Sequence, residues 1–149
     1  MKIIDKNILD VNSGVILHGC NAQFAMKSGV ALQLRDKYPN IYDEYRQMCS
    51  KFKHDFERLG QYCKVWVDKD LFVINIISQL YYGYDGQRYS DYSAINSAFK
   101  GIAHDFALSP KTQFYLPYRI FCDRGGADWN IVSKMIDYYL PSAIICKLP

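Results

Sequence analysis

The residues of this sequence that could do chemistry are grouped in three segments. In the first, residues 18–32, His18 and Asn21 follow an apolar stretch and precede a helical pattern that opens at Ser28. Histidine titrates near neutrality and can act as an acid or a base, and an asparagine amide can bond a sugar hydroxyl. A helix N-terminus presents unpaired N–H groups and suits a phosphate. The alternative is an ordinary connection between a strand and a serine-capped helix.

The second segment, residues 123–130, also runs through glycines into a helical pattern. Gly125, Gly126 and Ala127 allow close approach of the backbone to a ligand. Asp128 is positioned to cap a helix that begins at Trp129. Two such loops could hold the two phosphates of a diphosphate, or Asp128 could serve only as a cap.

The third segment, residues 78–90, is rich in tyrosine and glycine and contains Arg88. Aromatic rings and an arginine could cover a sugar or an adenine, although a packed surface loop has the same composition. His54 and His104 lie in charged helical stretches and are expected at the surface. The five cysteines form no CxxC pair and no His pair has metal-ligand spacing, so we expect reduced thiols, with neither a disulfide framework nor a metal site.

Length and composition indicate one domain, residues 1–149, with half of its residues apolar. The net charge is +3 and no dense basic block occurs, which argues against nucleic acid as a direct partner. The N-terminus lacks the apolar core of a signal peptide. No apolar run approaches the roughly 20 residues of a membrane helix. We therefore expect a cytoplasmic monomer that contacts no membrane.

Apolar, β-branched runs alternate with helical patterns along the chain. The alternation predicts an α/β fold of three layers with a mixed sheet, whose ligands bind at the carboxyl ends of the strands. The loops after His18, Ile77 and Pro117 are therefore the ones expected to form a site. The predicted strands are 2–4, 14–18, 61–67 and 71–77 (a hairpin), 112–117 and 142–147; the predicted helices are 28–37, 41–52, 91–107 and 129–139.

Three motifs in this order resemble a known family. They are H-x-x-N from His18, M-x-x-G-V-A-L from Met26, and G-G-x-D-W from Gly125. Together they resemble the macrodomains over nearly the whole chain, most closely the branch of ADP-ribose 1″-phosphate phosphatases found in phages and bacteria. The sequence is also similar to the branch that removes ADP-ribose from acidic side chains. The resemblance implies a three-layer α/β/α macrodomain with a mixed central sheet that holds ADP-ribose in a cleft.

The resemblance also implies roles for individual residues. Asn7 stands where the family has an acid that recognises adenine, and Asn21 would meet the distal ribose. Asp128 would position or activate water, and His18 would donate a proton or orient a neighbour. The implied ligand contacts are Asn7, Ile8, Ala22, Met26, Lys27, Ser28, Gly29, Val30, Gly125, Gly126, Ala127 and Trp129. No cofactor or metal is implied.

Several positions depart from the family pattern. Phe24 and Lys27 replace glycines; Phe24 could narrow the pocket, and Lys27 could add a cation beside a phosphate. Phe121, Asp123 and Arg124 also differ, and the lysine of the ester-cleaving branch is missing, with Ser78 or Gln79 near its place.

The reaction that the resemblance favours is hydrolysis of ADP-ribose 1″-phosphate. One alternative is an ADP-ribosyl hydrolase, for which nucleic acid could be a partner only as an ADP-ribosylated substrate. The other alternative is a non-catalytic reader or sponge. A phage-encoded protein of this kind would work in the host cytoplasm.

Overall fold

The computed structural model describes residues 1–149, which form six strands and four α-helices. Short 3-10 helices follow the first strand, at Ile8–Asp10, and the second α-helix, at Asp55–Arg58. None of the helices is long and apolar enough to cross a membrane. The strands are β1 (Lys2–Asp5), β2 (Gly14–Asn21), β3 (Tyr62–Asp68), β4 (Leu71–Gln79), β5 (Phe114–Pro117) and β6 (Ile144–Lys147); the helices are α1 (Gly29–Lys37), α2 (Asn40–Ser50), α3 (Tyr92–Asp105) and α4 (Trp129–Tyr139).

The strands form one mixed sheet in the order β1-β6-β5-β2-β4-β3. All neighbours pair in parallel except β3, which is antiparallel to β4 at the edge. The predicted mixed sheet and the hairpin of β3 and β4 are therefore confirmed. Because β1, β6, β5, β2 and β4 run the same way, their carboxyl ends meet at one edge of the sheet.

Two apolar cores, one on each face of the sheet, confirm the predicted three layers. In β2, Val15 and Leu17 face a core that includes Phe99 of α3 and Val132 of α4. The alternate residues face a second core built with α1 and α2, which contains Tyr45. This alternation is the period of two that a strand buried on both faces requires.

The central strands are longer than the sequence pattern predicts. Strand β2 continues past His18 to Asn21, and β4 continues to Gln79, because the two strands remain paired as far as Asn21 and Gln79. A register shift between Cys20 and Asn21 marks the end of the regular ladder. Because of this extension, His18 lies inside β2 and not at its end. The polar residues and the glycine between His18 and Asn21 do not form an apolar pattern, so the sequence does not reveal the longer strand. Helix α4 has the predicted bounds, and the other elements differ from prediction by one to three residues at their ends.

A candidate ligand cleft at the carboxyl edge of the sheet

An open cleft lies at the carboxyl edge of the sheet and measures about 950 Å³ when the solvent space at its mouth is included. The lining comes from three segments: the end of β2 with the start of α1, the end of β4 with its following loop, and the loop after β5. The lining residues are 18–21, 25–31, 78–79, 82–84, 117–121 and 123–125. These are the three loops that the strand pattern predicts.

The first wall, residues 21–31, brings an uncapped helix N-terminus to the cleft. Ser28 occupies the N-cap position of α1, but its side chain makes no capping hydrogen bond. The first bond of the helix runs from the Leu32 N–H to the Ser28 carbonyl, so the N–H groups of Gly29 and Val30 have no backbone acceptor. Gly29 has a φ of +60°, and no atom lies within 4 Å of the place where a Cβ would be. This end of α1 is open to an anion.

Both polar atoms of the Asn21 side chain form hydrogen bonds within the loop of the first wall. Its Oδ1 accepts from the Gln23 N–H at 2.9 Å, and its Nδ2 donates to the Ala25 carbonyl at 2.8 Å. The Tyr45 hydroxyl of α2 donates to the Asn21 carbonyl and lies 3.1 Å from the Asn21 Oδ1. Asn21 borders the cleft, but its polar atoms are used within the protein.

Side chains from outside the cleft brace the same loop. The Tyr42 hydroxyl donates to the Phe24 carbonyl at 2.9 Å, and Arg58 donates to the Ala22 carbonyl at 2.7 Å. The Arg58 guanidinium also lies 4.6 Å from the centre of the Phe24 ring. Phe24 has a φ of +63°, a conformation that residues other than glycine seldom adopt. Its ring packs here, outside the cleft lining, and does not narrow the cleft.

The second wall, residues 117–125, is fixed by packing against the loop that follows β4. The Tyr89 and Ser90 N–H groups both donate to the Gly125 carbonyl, and the Ser90 hydroxyl donates to the Phe121 carbonyl at 2.8 Å. A Cβ on Gly125 would stand 2.3 Å from the Ser90 Oγ. A Cβ on Gly126 would stand 2.6 Å from the Gln87 carbonyl oxygen. These close contacts between the two loops leave no room for a Cβ and explain why glycine occupies both positions.

The N-terminus of α4 is capped, unlike that of α1. Asp128 accepts from the Asn130 N–H at 2.8 Å through Oδ1, and its own N–H donates to the Tyr92 hydroxyl at 2.9 Å. The capping role that the sequence indicates for Asp128 is therefore confirmed. Asp128 is exposed and lies outside the cleft lining, as do Gly126, Ala127 and Trp129. Contact of these four residues with a ligand stays a prediction.

Solved structures share this architecture, although no family model and no curated protein matches the sequence. A protein of unknown function from Bacteroides thetaiotaomicron superposes with a TM-score of 0.84 at 26% identity, over 99% of this chain and 97% of that one. The macrodomain of Mycobacterium tuberculosis DarG gives 0.78 at 17% identity, over 99% and 96% of the two chains. Thermosipho africanus DarTG, in complex with ADP-ribose, gives 0.76 at 16% identity, over 99% of this chain and 41% of that one. The chain has the macrodomain fold.

Within this macrodomain fold, His18 lies in the floor of the cleft and is 1% exposed. Its Nε2 is 2.6 Å from the Asn75 Oδ1. The Asn75 Nδ2 donates to the Ile41 carbonyl, so Oδ1 is an acceptor and the His18 Nε2 carries the proton. Burial lowers the pKa of His18 to about 4, against the opposing effect of this hydrogen bond, and keeps the ring neutral. This placement favours the orienting role over that of proton donor.

The second wall of the macrodomain cleft carries three charged side chains. Arg119 pairs with Asp123 at 3.2 Å, and the Arg124 guanidinium lies 4.0 Å from the centre of the Tyr84 ring. Arg119 and Phe121 have φ values of 60° and 68°, so this loop holds two non-glycine residues in left-handed conformation. Such strain persists only where packing enforces it, and it often marks functional loops. The sequence pattern marks Asp123 and Arg124 only as departures from the family and gives no role to Arg119. The position of all three residues just after β5, at the carboxyl edge of the sheet, is the signal that points to them.

The sequence-predicted contacts divide into two groups. Those that line the cleft are His18, Asn21, Met26, Lys27, Ser28, Gly29, Val30 and Gly125. Those outside the lining are Gly126, Ala127, Asp128 and Trp129, already described, and Asn7, Ile8 and Ala22. Asn7 accepts from the Leu9 N–H at 3.0 Å and caps the first 3-10 helix, and Ile8 and Ala22 are buried. No group of three or more metal-ligating side chains is arranged to hold an ion. All five cysteines are free thiols.

Proposed function

We propose that the cleft binds ADP-ribose or a close derivative, with the diphosphate between the N-terminus of α1 and the loop after β5. The observation that carries this proposal is the uncapped start of α1, where free N–H groups face a cleft at the carboxyl edge of the sheet. A structure with the same fold, Thermosipho africanus DarTG, is in complex with ADP-ribose. A helix N-terminus supplies both hydrogen-bond donors and a partial positive charge to a phosphate.

Residues on either side of α1 would complete the recognition. Lys27 is exposed on the cleft lining directly before the helix and would add a cation beside the phosphates. We place the adenine toward Asn7 and Ile8. The Asn7 Oδ1 is engaged in capping, but its Nδ2 has no partner and can donate to an adenine ring nitrogen. The neutral amide would recognise adenine less sharply than the acid of the family pattern.

The reaction we propose is attack of water on ADP-ribose 1″-phosphate, which gives ADP-ribose and inorganic phosphate. A carboxylate would position the attacking water and accept its proton, and such general-base help is worth about 10²–10⁴ in rate. Asp128 is the candidate from the sequence, but its Oδ1 caps α4 outside the cleft lining. Asp123 is the carboxylate on the lining itself, 75% exposed and paired with Arg119. Both residues are therefore tested.

One observation favours a second candidate function, a reader that binds without turnover. The three residues assigned to chemistry all have structural hydrogen bonds: His18 is neutral and bonded to Asn75, Asn21 holds its own loop, and Asp128 caps a helix. If Asp123 also stays in its pair with Arg119, the cleft has no acid or base to offer and can bind a ligand while accelerating hydrolysis little.

Calorimetric titration with ADP-ribose tests the binding proposal, and AMP and NAD serve as matched ligands. Release of phosphate from ADP-ribose 1″-phosphate tests the reaction, with an ADP-ribosylated protein as the competing substrate. Loss of phosphate release in Asp123→Asn, with Asp128→Asn active, would assign the base to Asp123; the reverse would assign it to Asp128. Tight binding without turnover of either substrate would identify a reader. Binding of none of the ligands would overturn the function and leave the fold standing.

A further inference from the structure

Arg58 joins three segments of the chain behind the first wall. Its Nε donates to the Cys49 carbonyl in the last turn of α2 at 2.9 Å, and its Nη2 lies 3.4 Å from the Phe52 carbonyl oxygen just after that helix. Its Nη1 donates to the Ala22 carbonyl of the wall at 2.7 Å. No carboxylate pairs with Arg58, although the side chain is only partly exposed. Its donors are therefore used on backbone carbonyls, which a planar guanidinium can reach together in fixed directions.

The same guanidinium anchors the ring of Phe24, the residue of the wall that most needs support. Phe24 has a φ of +63°, in the left-handed region, at a position where the macrodomain pattern has glycine. The centre of its ring lies 4.6 Å from the Arg58 guanidinium and 6.4 Å from the centre of the Tyr45 ring. The Tyr42 hydroxyl adds a hydrogen bond to the Phe24 carbonyl. A residue with a side chain keeps such a backbone conformation only where its surroundings enforce it.

The backbone that leaves Phe24 leads directly to the start of α1. Residues 25–27 line the cleft, and Ser28 then begins α1 without a capping bond. The direction of this segment follows from the left-handed turn at Phe24, because a return to negative φ would send the backbone after it another way. Arg58 itself is outside the lining, so its influence on a ligand passes through this loop.

We propose that Arg58 is a positioning residue of the cleft: by anchoring the Phe24 ring behind the first wall, it sets the direction in which the start of α1 meets the diphosphate. This inference rests on the proposed binding of ADP-ribose. A wall that is already ordered in the free protein does not have to be ordered at the expense of binding energy. In Arg58→Gln the wall keeps its own residues and its amides but loses this anchor, so the affinity for ADP-ribose should fall about tenfold.

A second substitution, at Phe24, separates positioning from general support of the fold. Glycine adopts the left-handed conformation readily and has no ring to anchor, so Phe24→Gly should make the cleft independent of Arg58. Phe24→Gly, alone or together with Arg58→Gln, should bind ADP-ribose within about threefold of wild type, since substitutions of side chains in contact are not additive. The double variant also loses the packing of the Phe24 ring. If Arg58 only stabilised the fold, the double variant would bind worse than Arg58→Gln, and not better.

Two further variants distinguish the geometry of the contact from its charge. Arg58→Lys keeps the positive charge but not the planar group that lies on the ring and donates to separate carbonyls, so it should bind as weakly as Arg58→Gln. Arg88→Gln is the matched control, because the Arg88 guanidinium lies 4.5 Å from the centre of the Tyr92 ring but outside the cleft lining. It should bind ADP-ribose as wild type does.

Two measurements test the proposal. Calorimetric titration with ADP-ribose gives the affinities, and the backbone amide shifts of the ligand-free protein report the wall itself. In the free protein, Arg58→Gln should move the amide signals of Gly29 and Val30 and leave that of Asn130, at the start of α4, in place. Melting curves verify that each variant is folded. If Arg58→Gln does not fold, Arg58→Lys with and without Phe24→Gly takes its place.

The outcomes separate the positioning role from the broader proposal. Wild-type affinity in Arg58→Gln or Arg58→Lys, an equal loss in Arg88→Gln, or a double variant as weak as Arg58→Gln would overturn the positioning role and leave the proposed function standing. Unmoved amides at Gly29 and Val30 would overturn it as well. If wild type does not bind ADP-ribose, the proposed function fails, and the amide shifts of the free protein alone decide whether Arg58 positions the wall.

Discussion

The two walls of the cleft share a sequence of elements but differ in how the helix that follows each wall begins. Each leads from a parallel strand to a helix, with a cap-forming residue directly before that helix and a glycine beside the helix start or in the loop. Ser28 makes no capping bond and the start of α1 faces the cleft, whereas Asp128 bonds the Asn130 N–H and α4 starts outside it. The glycines differ as well: Gly29 borders open space, and Gly125 is enclosed by protein.

This difference shows what makes a helix N-terminus available to a ligand. A capping side chain satisfies an N–H group that an anion would otherwise use, and a carboxylate cap also repels the anion. The second wall contributes to the cleft through charged side chains and loop amides, and not through a helix end. The two walls therefore perform different tasks, which variants in each can separate.

Gly125→Ala should cause the largest loss of stability. The added methyl would meet the Ser90 Oγ at 2.3 Å and the Phe121 carbonyl oxygen at 2.4 Å. We expect the free energy of unfolding to fall by about 3 kcal/mol, the upper part of the range for overpacking, because one neighbour is backbone. Gly29→Ala is the control on the first wall, where only the left-handed backbone costs about 1–2 kcal/mol. Denaturant unfolding measures both; equal losses would mean that the walls do not differ in packing.

Acid should lower the stability of the protein through His18, which is buried in the floor of the cleft. Its pKa is about 4 in the folded chain, against 6.5 ordinarily, so between these values the unfolded state binds the proton and the folded state does not. Its contribution to stability is therefore complete above pH 6.5 and declines as the pH falls toward 4. By about pH 5 the loss should reach about 2 kcal/mol.

His18→Gln is the control for this pH dependence, because glutamine can still donate to Asn75. Chemical unfolding at neutral pH and near pH 5 should give a smaller pH effect in the variant, by about 2 kcal/mol. The same pH dependence in both proteins would show that His18 is not buried as a neutral ring.

Ser28→Asp should make the start of α1 resemble that of α4, which has a carboxylate cap. The new carboxylate can cap α1 and interact favourably with its dipole, so we expect about 1 kcal/mol of added stability. Binding of ADP-ribose should weaken about tenfold, because the carboxylate competes with the diphosphate for the same N–H groups. Thermal unfolding and calorimetry measure the two effects. A variant that is more stable than wild type and binds ADP-ribose equally well would show that the diphosphate does not bind at this helix end.

Asp128→Ala should have the smallest effect on stability and none on the binding of ADP-ribose. Loss of the cap should lower the free energy of unfolding by about 1 kcal/mol, and Asp128→Asn should lower it less, because asparagine caps nearly as well. Neither change should alter the affinity for ADP-ribose, since Asp128 lies outside the cleft lining. A fall in affinity would mean that α4 reaches the ligand after all.

The sequence predicted the layers, the mixed sheet and the three loops of the cleft, because these follow from local apolar patterns and from the rule for parallel strands. It also predicted the cap at Asp128, a local interaction. It did not predict that Gly125 serves a contact with Ser90, because that contact joins distant parts of the chain. The burial of His18 was concealed for a related reason: the polar residues at the end of β2 pair with β4, and only the sheet determines which side they face.

The most direct test of the difference between the walls is NMR mapping of the backbone amides during titration with ADP-ribose. The account predicts the largest shift changes at the amides of Gly29 and Val30, with changes at Arg124 and Gly125 and almost none at Asn130, where Asp128 occupies the N–H. Maximal changes at the start of α4, with those of α1 unmoved, would contradict it.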